Sequence, residues 1–119
     1  MFRTFEDLEV WKKACSLAVT VYTSLKECRE FALRTQMQRA AVSIASNIAE
    51  GAERTGKDFQ RFIRISKGSA AELRTQAYIA ARVGVLNLEQ MTTIVDETKS
   101  IARMLTALAR SLHPKDDES

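Results

Sequence analysis

The sequence predicts an all-α fold, an antiparallel up-and-down four-helix bundle, and three observations predict it. Apolar residues recur at three- and four-residue spacing along four stretches separated by short polar breaks. A single Pro and four Gly leave few breakers to bound short strands. Each stretch is long enough for roughly 20–26 helical residues, about 30–40 Å, and the connections are short enough to make neighbours antiparallel.

The first helix is expected from Phe5 to Cys28. Leu8, Trp11, Cys15, Ala18, Tyr22 and Leu25 form its stripe, which Val10, Ala14, Leu17 and Val21 widen. Thr4 is placed to cap it, with Glu6 and Asp7 in the favourable first turn. "CREFALRT" breaks the period and forms the first connection. A second helix is expected from Thr35, where "TQMQ" fits a capping box, to Arg54, with Met37, Ala41, Ile44 and Ile48 on one face.

Thr55, Gly56 and Asp58 mark a turn, followed by a third helix from Phe59 to Val83. Phe59, Phe62, Ile63, Ala70, Leu73, Ala77 and Ala80 make its apolar side. Gly84 ends it, since glycine adopts a left-handed conformation cheaply, and Asn87 with Gln90 caps the fourth. Met91, Ile94, Thr98, Ile101, Leu105, Leu108 and Leu112 carry that helix to Pro114. Residues 1–119 are thus expected to form a single four-helix-bundle domain, with 113–119 a flexible tail. Trp11, Ile44, Phe62, Leu73, Ile94 and Leu105 are expected inside.

No stretch approaches the roughly 20 apolar residues of a membrane span, and "MFRTFEDLEVWKK" lacks an uninterrupted apolar signal region. A soluble cytoplasmic protein with no membrane role is expected. Cys15 and Cys28 fall about 20 Å apart along one helix at 1.5 Å per residue, which excludes a disulfide between them. Cys15 is expected as a small core residue and Cys28 as a free thiol.

The net charge of +3 is unevenly spread. Residues 1–33 hold five basic and five acidic side chains, residues 34–82 nine and four, and residues 83–119 four and six. A basic middle in a nearly balanced chain points to one electropositive face and a polyanionic partner.

Catalytic patterns are absent. The single His, His113, stands beside Pro114, where charge capping fits better than ligation. There is no Glu-x-x-His pair, no phosphate-binding Gly loop, no paired-cysteine spacing and no nucleophile elbow. No metal, cofactor or small-molecule substrate is therefore expected, and the chain is read as a non-enzyme. Glu50 and Glu72 could be an acid–base pair, but ion pairs with Arg54 and Arg39 are the preferred reading. Gly68, costing about 1 kcal/mol against Ala in mid-helix, is expected to mark close helix approach beside Ser69, Ala70 and Ala71. Asn47 is expected in the same polar seam.

Arg64, Lys67, Arg74 and Arg82 fall on one stripe of the third helix, with Ala71 and Tyr78 in the gaps and Lys57 and Arg61 near its start. Such a stripe suits phosphates, and the bland alternative is a solvated outer face.

"FEDLEVWKKA", "SIASNIAEG" and "GSAAELRTQ" together resemble three blocks of the bacterial four-helix-bundle family first met in intervening sequences of 23S ribosomal RNA genes, over residues 4 to 112. The resemblance implies a small all-α bundle, commonly a homopentamer, in a family that includes nucleic-acid-binding accessory proteins of diversity-generating retroelements. Its motif residues here are Asn47, Glu50 and Gly51 on the second helix and Gly68, Ser69, Glu72 and Gln76 on the third, read as structural. Ala45 stands where the family usually has Pro, and Ala77 where Leu is common. Two functions are carried forward: a non-enzymatic oligomer binding RNA or DNA through Lys57, Arg61, Arg64, Lys67, Arg74 and Arg82, and an oligomeric scaffold with no nucleic-acid role.

Overall fold

The computed structural model describes residues 2–54 and 56–112, and its organisation follows from the closest meeting of two helices. Helices α1 (Glu9–Ser24), α2 (Phe31–Ala52), α3 (Gly56–Arg82) and α4 (Leu88–Leu112) run up and down in an antiparallel bundle. Each packs on its neighbours in ring order, α4 closing back onto α1. No strand occurs among the described residues. The expected tail, with His113 and Pro114, lies outside the described residues.

At Gly51 α2 touches α3. A Cβ placed there would lie 2.7 Å from Phe62 Cβ and 2.9 Å from Phe59 Cδ1, inside van der Waals contact. Only a glycine lets the two backbones come this close. Two hydroxyl contacts hold the same seam further along: Ser66 Oγ, fully buried, donates to the Ile44 carbonyl at 3.0 Å, and Ser43 and Ser69 share a hydroxyl–hydroxyl bond of 2.9 Å.

Gly68, expected to be the point of close approach, is not. It is exposed, and a Cβ there would have nothing within 4 Å. The seam runs through its neighbours Ser66 and Ser69, which lie on the buried side while Gly68 points away.

The helix ends differ from expectation in instructive ways. Thr4 caps only a 3-10 turn, Phe5–Asp7, because the Asp7 carboxylate accepts from both the Arg3 and Thr4 amides, at 3.0 and 3.2 Å. Leu8 is then extended, and α1 starts at Glu9 while Phe5 folds back edge-on to Trp11 at 5.2 Å. At the other end α1 stops at Ser24 with Leu25 buried, so Cys28 lies beyond it. Helix α2 begins at Phe31, four residues before the expected Thr35, because half-buried Leu33 extends the Met37 stripe back by one turn. Helix α3 also starts early, at Gly56, whose φ of 55° makes the turn.

The third connection agrees with the sequence reading in detail. Gly84 has φ 82°, and the amides of Val85 and Gly84 donate to the Ala80 and Ala81 carbonyls, the reciprocal pattern of a glycine-terminated helix. Two residues later the Gln90 amide donates to Asn87 Oδ1 at 2.8 Å and the Asn87 amide to Gln90 Oε1 at 3.0 Å, a complete capping box.

Ile44, Leu73, Ile94 and Leu105 are fully buried as expected, together with Leu17, Met37, Ile48, Ile63 and Ile101. Trp11 and Phe62 are only half-buried. Trp11 is turned into the α1–α2 cleft, and Phe62 lies over the end of α2, leaving the interior place to Phe59.

The two glycines give paired predictions of opposite sign. Gly51→Ala is expected to destabilise by about 1–3 kcal/mol, because the backbone-anchored Phe62 Cβ cannot step aside. Gly68→Ala is expected to stabilise by up to about 1 kcal/mol in the same urea titration, through helix propensity alone.

Candidate nucleic-acid interface

The residues singled out in the sequence divide into two sets on opposite flanks of α3. The flank facing α2 carries the polar seam. Asn47 Nδ2 donates to the Ser43 carbonyl and to Ser43 Oγ, both at 2.9 Å, so Asn47 orients the hydroxyl that meets Ser69. Gln76 is buried on this flank, and its Oε1 has no hydrogen-bond partner among the described residues.

Glu50 pairs with Arg54 at 3.0 Å, as expected. Arg39 and Glu72 form no ion pair among the described residues, and both are exposed. Glu50 and Glu72 also do not converge. The antiparallel register set by Gly51 against Phe62 and Ser43 against Ser69 puts Glu50 level with Phe62 and Ile63. Glu72 lies some ten residues further along, about 15 Å away at 1.5 Å per residue. An acid–base pair acting on one substrate needs the two groups within reach of it.

The cations of α3 divide as well. Arg61 lies near Asp58 at 3.7 Å with its guanidinium 4.6 Å from the centre of the Phe62 ring, while Arg54 reaches the same ring at 5.1 Å and Asp58 at 3.6 Å. These two arginines clamp the α2–α3 turn. Arg64, Lys67 and Arg74 occupy the other flank, towards α4, and form no ion pair among the described residues. Lys67 and Arg74 are half-buried, laying their stems along the helix pair, and Arg64 is exposed. Lys57 and Arg82 are exposed at the two ends of α3.

Sequence reasoning missed the contribution of α4. Lys67 lines an open groove with Ala102, Arg103, Thr106, Ala107 and Arg110 of that helix. The register is set by Gln60 Nε2 donating to the Ala109 carbonyl at 2.9 Å. Lys99, Arg103 and Arg110 recur at spacings of four and seven, one helical stripe, and that is the signal that could have found them. Their segment has an acidic net charge, which hid a local basic stripe.

A second cleft, of about 420 Å³, lies between α1 and α2 and is almost wholly apolar, lined by Phe5, Trp11, Cys15, Ala18, Val42 and Ala45 among others. Burial there pushes the Cys15 thiol above its ordinary value, so it stays protonated and a poor nucleophile at neutral pH. Cys15 and Cys28 are both free thiols. No group of three or more His, Cys, Asp or Glu able to hold a metal ion occurs among the described residues. No helix among the described residues is long and apolar enough to cross a membrane.

These features define a small helical bundle whose chemically distinctive surface is a cationic groove. The chain belongs to the 23S rRNA-intervening sequence protein family, whose pattern it matches over residues 6–107. It is similar to a crystal structure of a protein of unknown function from the S23 ribosomal protein family of Bacteroides thetaiotaomicron VPI-5482. That likeness has a TM-score of 0.78 and 26% identity, over 84% of this chain and 97% of the other. No curated protein matches the sequence.

The cleft makes a direct prediction about Cys15. In a Cys28→Ser variant, iodoacetamide at neutral pH is expected to alkylate Cys15 several-fold more slowly in the folded protein than in urea, because the raised thiol pKa and the cleft walls both oppose attack. Equal rates, followed by mass spectrometry, would show that the thiol is neither shielded nor perturbed.

Proposed function

We propose that this protein is a non-enzymatic, cytoplasmic homo-oligomer that binds RNA or DNA through the basic face of α3. One observation carries the reading: Arg64, Lys67 and Arg74 stand on one flank with no carboxylate paired to them among the described residues. Cations that served only the fold would gain by pairing, as Arg54 and Arg61 do with Asp58. Left unpaired and half-supported by packing, they repel one another and attract phosphate. Lys57 and Arg82 extend the same charge to the ends of the helix. Arg61 is held by Phe62 and contributes field more than contact.

The apolar surface supports self-assembly. Val42, 41% exposed, lines the α1–α2 cleft and Val19, 66% exposed, follows its Ala18 in α1, while Ile79 and Val83 are exposed in the last turn of α3 and just beyond it. Two unlike apolar patches on different faces favour a head-to-tail contact, which closes into a ring when its rotation permits. A pentamer is the ring that the family resemblance implies. The same cleft is what favours the second reading, a scaffold whose assembly is itself the function.

Fluorescence anisotropy across a salt series tests the binding. Affinity is expected to fall linearly on log–log axes with little sequence preference, and Arg64→Ala with Lys67→Ala should lower the slope by about 1.8 per engaged protomer on a duplex. Absence of binding at low salt would transfer the case to the scaffold. Light scattering is expected to give a multiple of the 13.4 kDa protomer mass, reduced by Val42→Asp. A monomer mass for the parent would defeat the oligomer.

A further inference from the structure

We infer that the groove between α3 and α4 is a single lane for a sugar-phosphate backbone of duplex nucleic acid, with α4 supplying one wall through Lys99, Arg103 and Arg110. This rests on the nucleic-acid reading above and adds residues and a binding mode to it.

The groove has a cationic wall on each side. On α3, Arg64 and Arg74 lie three residues before and seven after Lys67, so the three project from one side of that helix. On α4, Arg103 and Arg110 line the groove directly, and Lys99 lies one turn before Arg103 on the same stripe. Packed helices stand about 8–10 Å apart at their axes, so charged tips on the two outer flanks straddle a lane one backbone wide.

No carboxylate lines the groove. On α4, Glu97 is turned to the opposite flank, where it pairs with Lys13 of α1 at 3.0 Å, and Asp96, exposed three residues before Lys99, is the carboxylate on the stripe itself, at the Arg74 end of the lane. None of Lys99, Arg103 and Arg110 takes part in an ion pair among the described residues. Away from Asp96, the stretch lined by Lys67, Arg103 and Arg110 presents like charge from both walls with no carboxylate among them.

The floor decides between backbone and bases. It consists of Ala102, Thr106 and Ala107, and the Thr106 hydroxyl already donates to the Ala102 carbonyl at 3.0 Å. Nothing there can stack on a base or donate to a base edge. Tyr78, the one aromatic on the stripe, lies a further turn beyond Arg74, and single-strand sites need several such platforms. Length agrees with a duplex contact. The register from Gln60 to Ala109 puts Arg110 level with the start of α3, fifteen residues from the level of Arg74. That is about 22 Å of lane, or roughly six nucleotides of one strand at 3.4 Å each.

The experiment compares four proteins on a short labelled duplex of mixed sequence, in RNA and DNA versions, across a salt series. The parent is expected to bind with a steep salt slope. Arg103→Ala with Arg110→Ala, which leaves every residue of α3 untouched, is expected to lose about 1.8 from that slope per engaged protomer, matching the Arg64→Ala, Lys67→Ala pair. Arg103→Lys with Arg110→Lys is expected to restore it, since phosphate needs the charge and not the guanidinium shape. Circular dichroism and light scattering are expected to be unchanged, because both arginines are exposed. An α4 variant that keeps the parental slope while the α3 variant loses it would overturn the lane and leave the α3 reading standing. A parent that binds only unstructured strands would overturn the lane, and one that binds no nucleic acid, or only phosphatidylserine vesicles, would overturn both.

Discussion

The contact on which the rest depends is the meeting of α2 and α3 at Gly51. With no side chain at that position, Phe59 and Phe62 lie directly on the α2 backbone. The close approach sets the register that brings Ser43 to Ser69 and Ser66 to the Ile44 carbonyl. A buried hydroxyl without a partner costs about 1–3 kcal/mol, so this register is the one that satisfies the seam. A slip of one turn would orphan those hydroxyls and drive Phe62 into a residue with a Cβ. By fixing the rotation of α3 against α2, the contact also fixes which flank of α3 is left for α4. Lys67 faces the groove, with Arg74 two turns on along the same stripe, because Ser66, Ser69 and Leu73 face inward.

Charge follows the same division. Two arginines near the α2–α3 turn are engaged: Arg54 by Glu50 and Asp58, Arg61 by Asp58, and both by the face of Phe62. Exposed ion pairs contribute about 0–1 kcal/mol each, but one aromatic ring shared by two guanidiniums organises them into a single unit. Across α3 the pattern reverses, and cations stand without partners. One helix thus separates arginines that close a turn from arginines that remain available, and residue type alone does not distinguish them.

What the sequence made legible was whatever depends on periodicity and local chemistry. Four helices, the glycine stop at Gly84 and the Asn87–Gln90 box were all readable, because each involves residues within a turn of one another. What it hid depends on partners distant in the chain. Gly51 and Gly68 are both glycines within helices, and only the position of Phe62 shows that the first carries the close approach. Trp11 and Phe62 lie on apolar stripes, yet Phe5 and the two arginines draw them to the surface. The α2 start was misplaced because "TQMQ" satisfies a capping rule that Leu33, one turn earlier, overrides by packing. The α4 wall was hidden by averaging charge over a segment with more acids than bases, of which Glu97 faces the opposite flank.

Several features lower the stability of the isolated chain and return nothing within it. Gly68 sacrifices helix propensity at an exposed position with open space around it. Two walls of like charge face each other across the α3–α4 groove. The α1–α2 cleft leaves Trp11 and Cys15 half-covered, and Gln76 buries an acceptor that nothing described here satisfies. A sequence optimised only to fold would remove these by ordinary substitutions: Ala at Gly68, a carboxylate opposite Lys67, a polar residue at Val42. They sit on three different flanks of the bundle, so no single local constraint accounts for them. The like charges of the groove, the apolar cleft and the open space at Gly68 all face outward, whereas the Gln76 acceptor is buried. Marginal stability makes such costs significant, since a few kcal/mol is a large share of the total for a domain of this size.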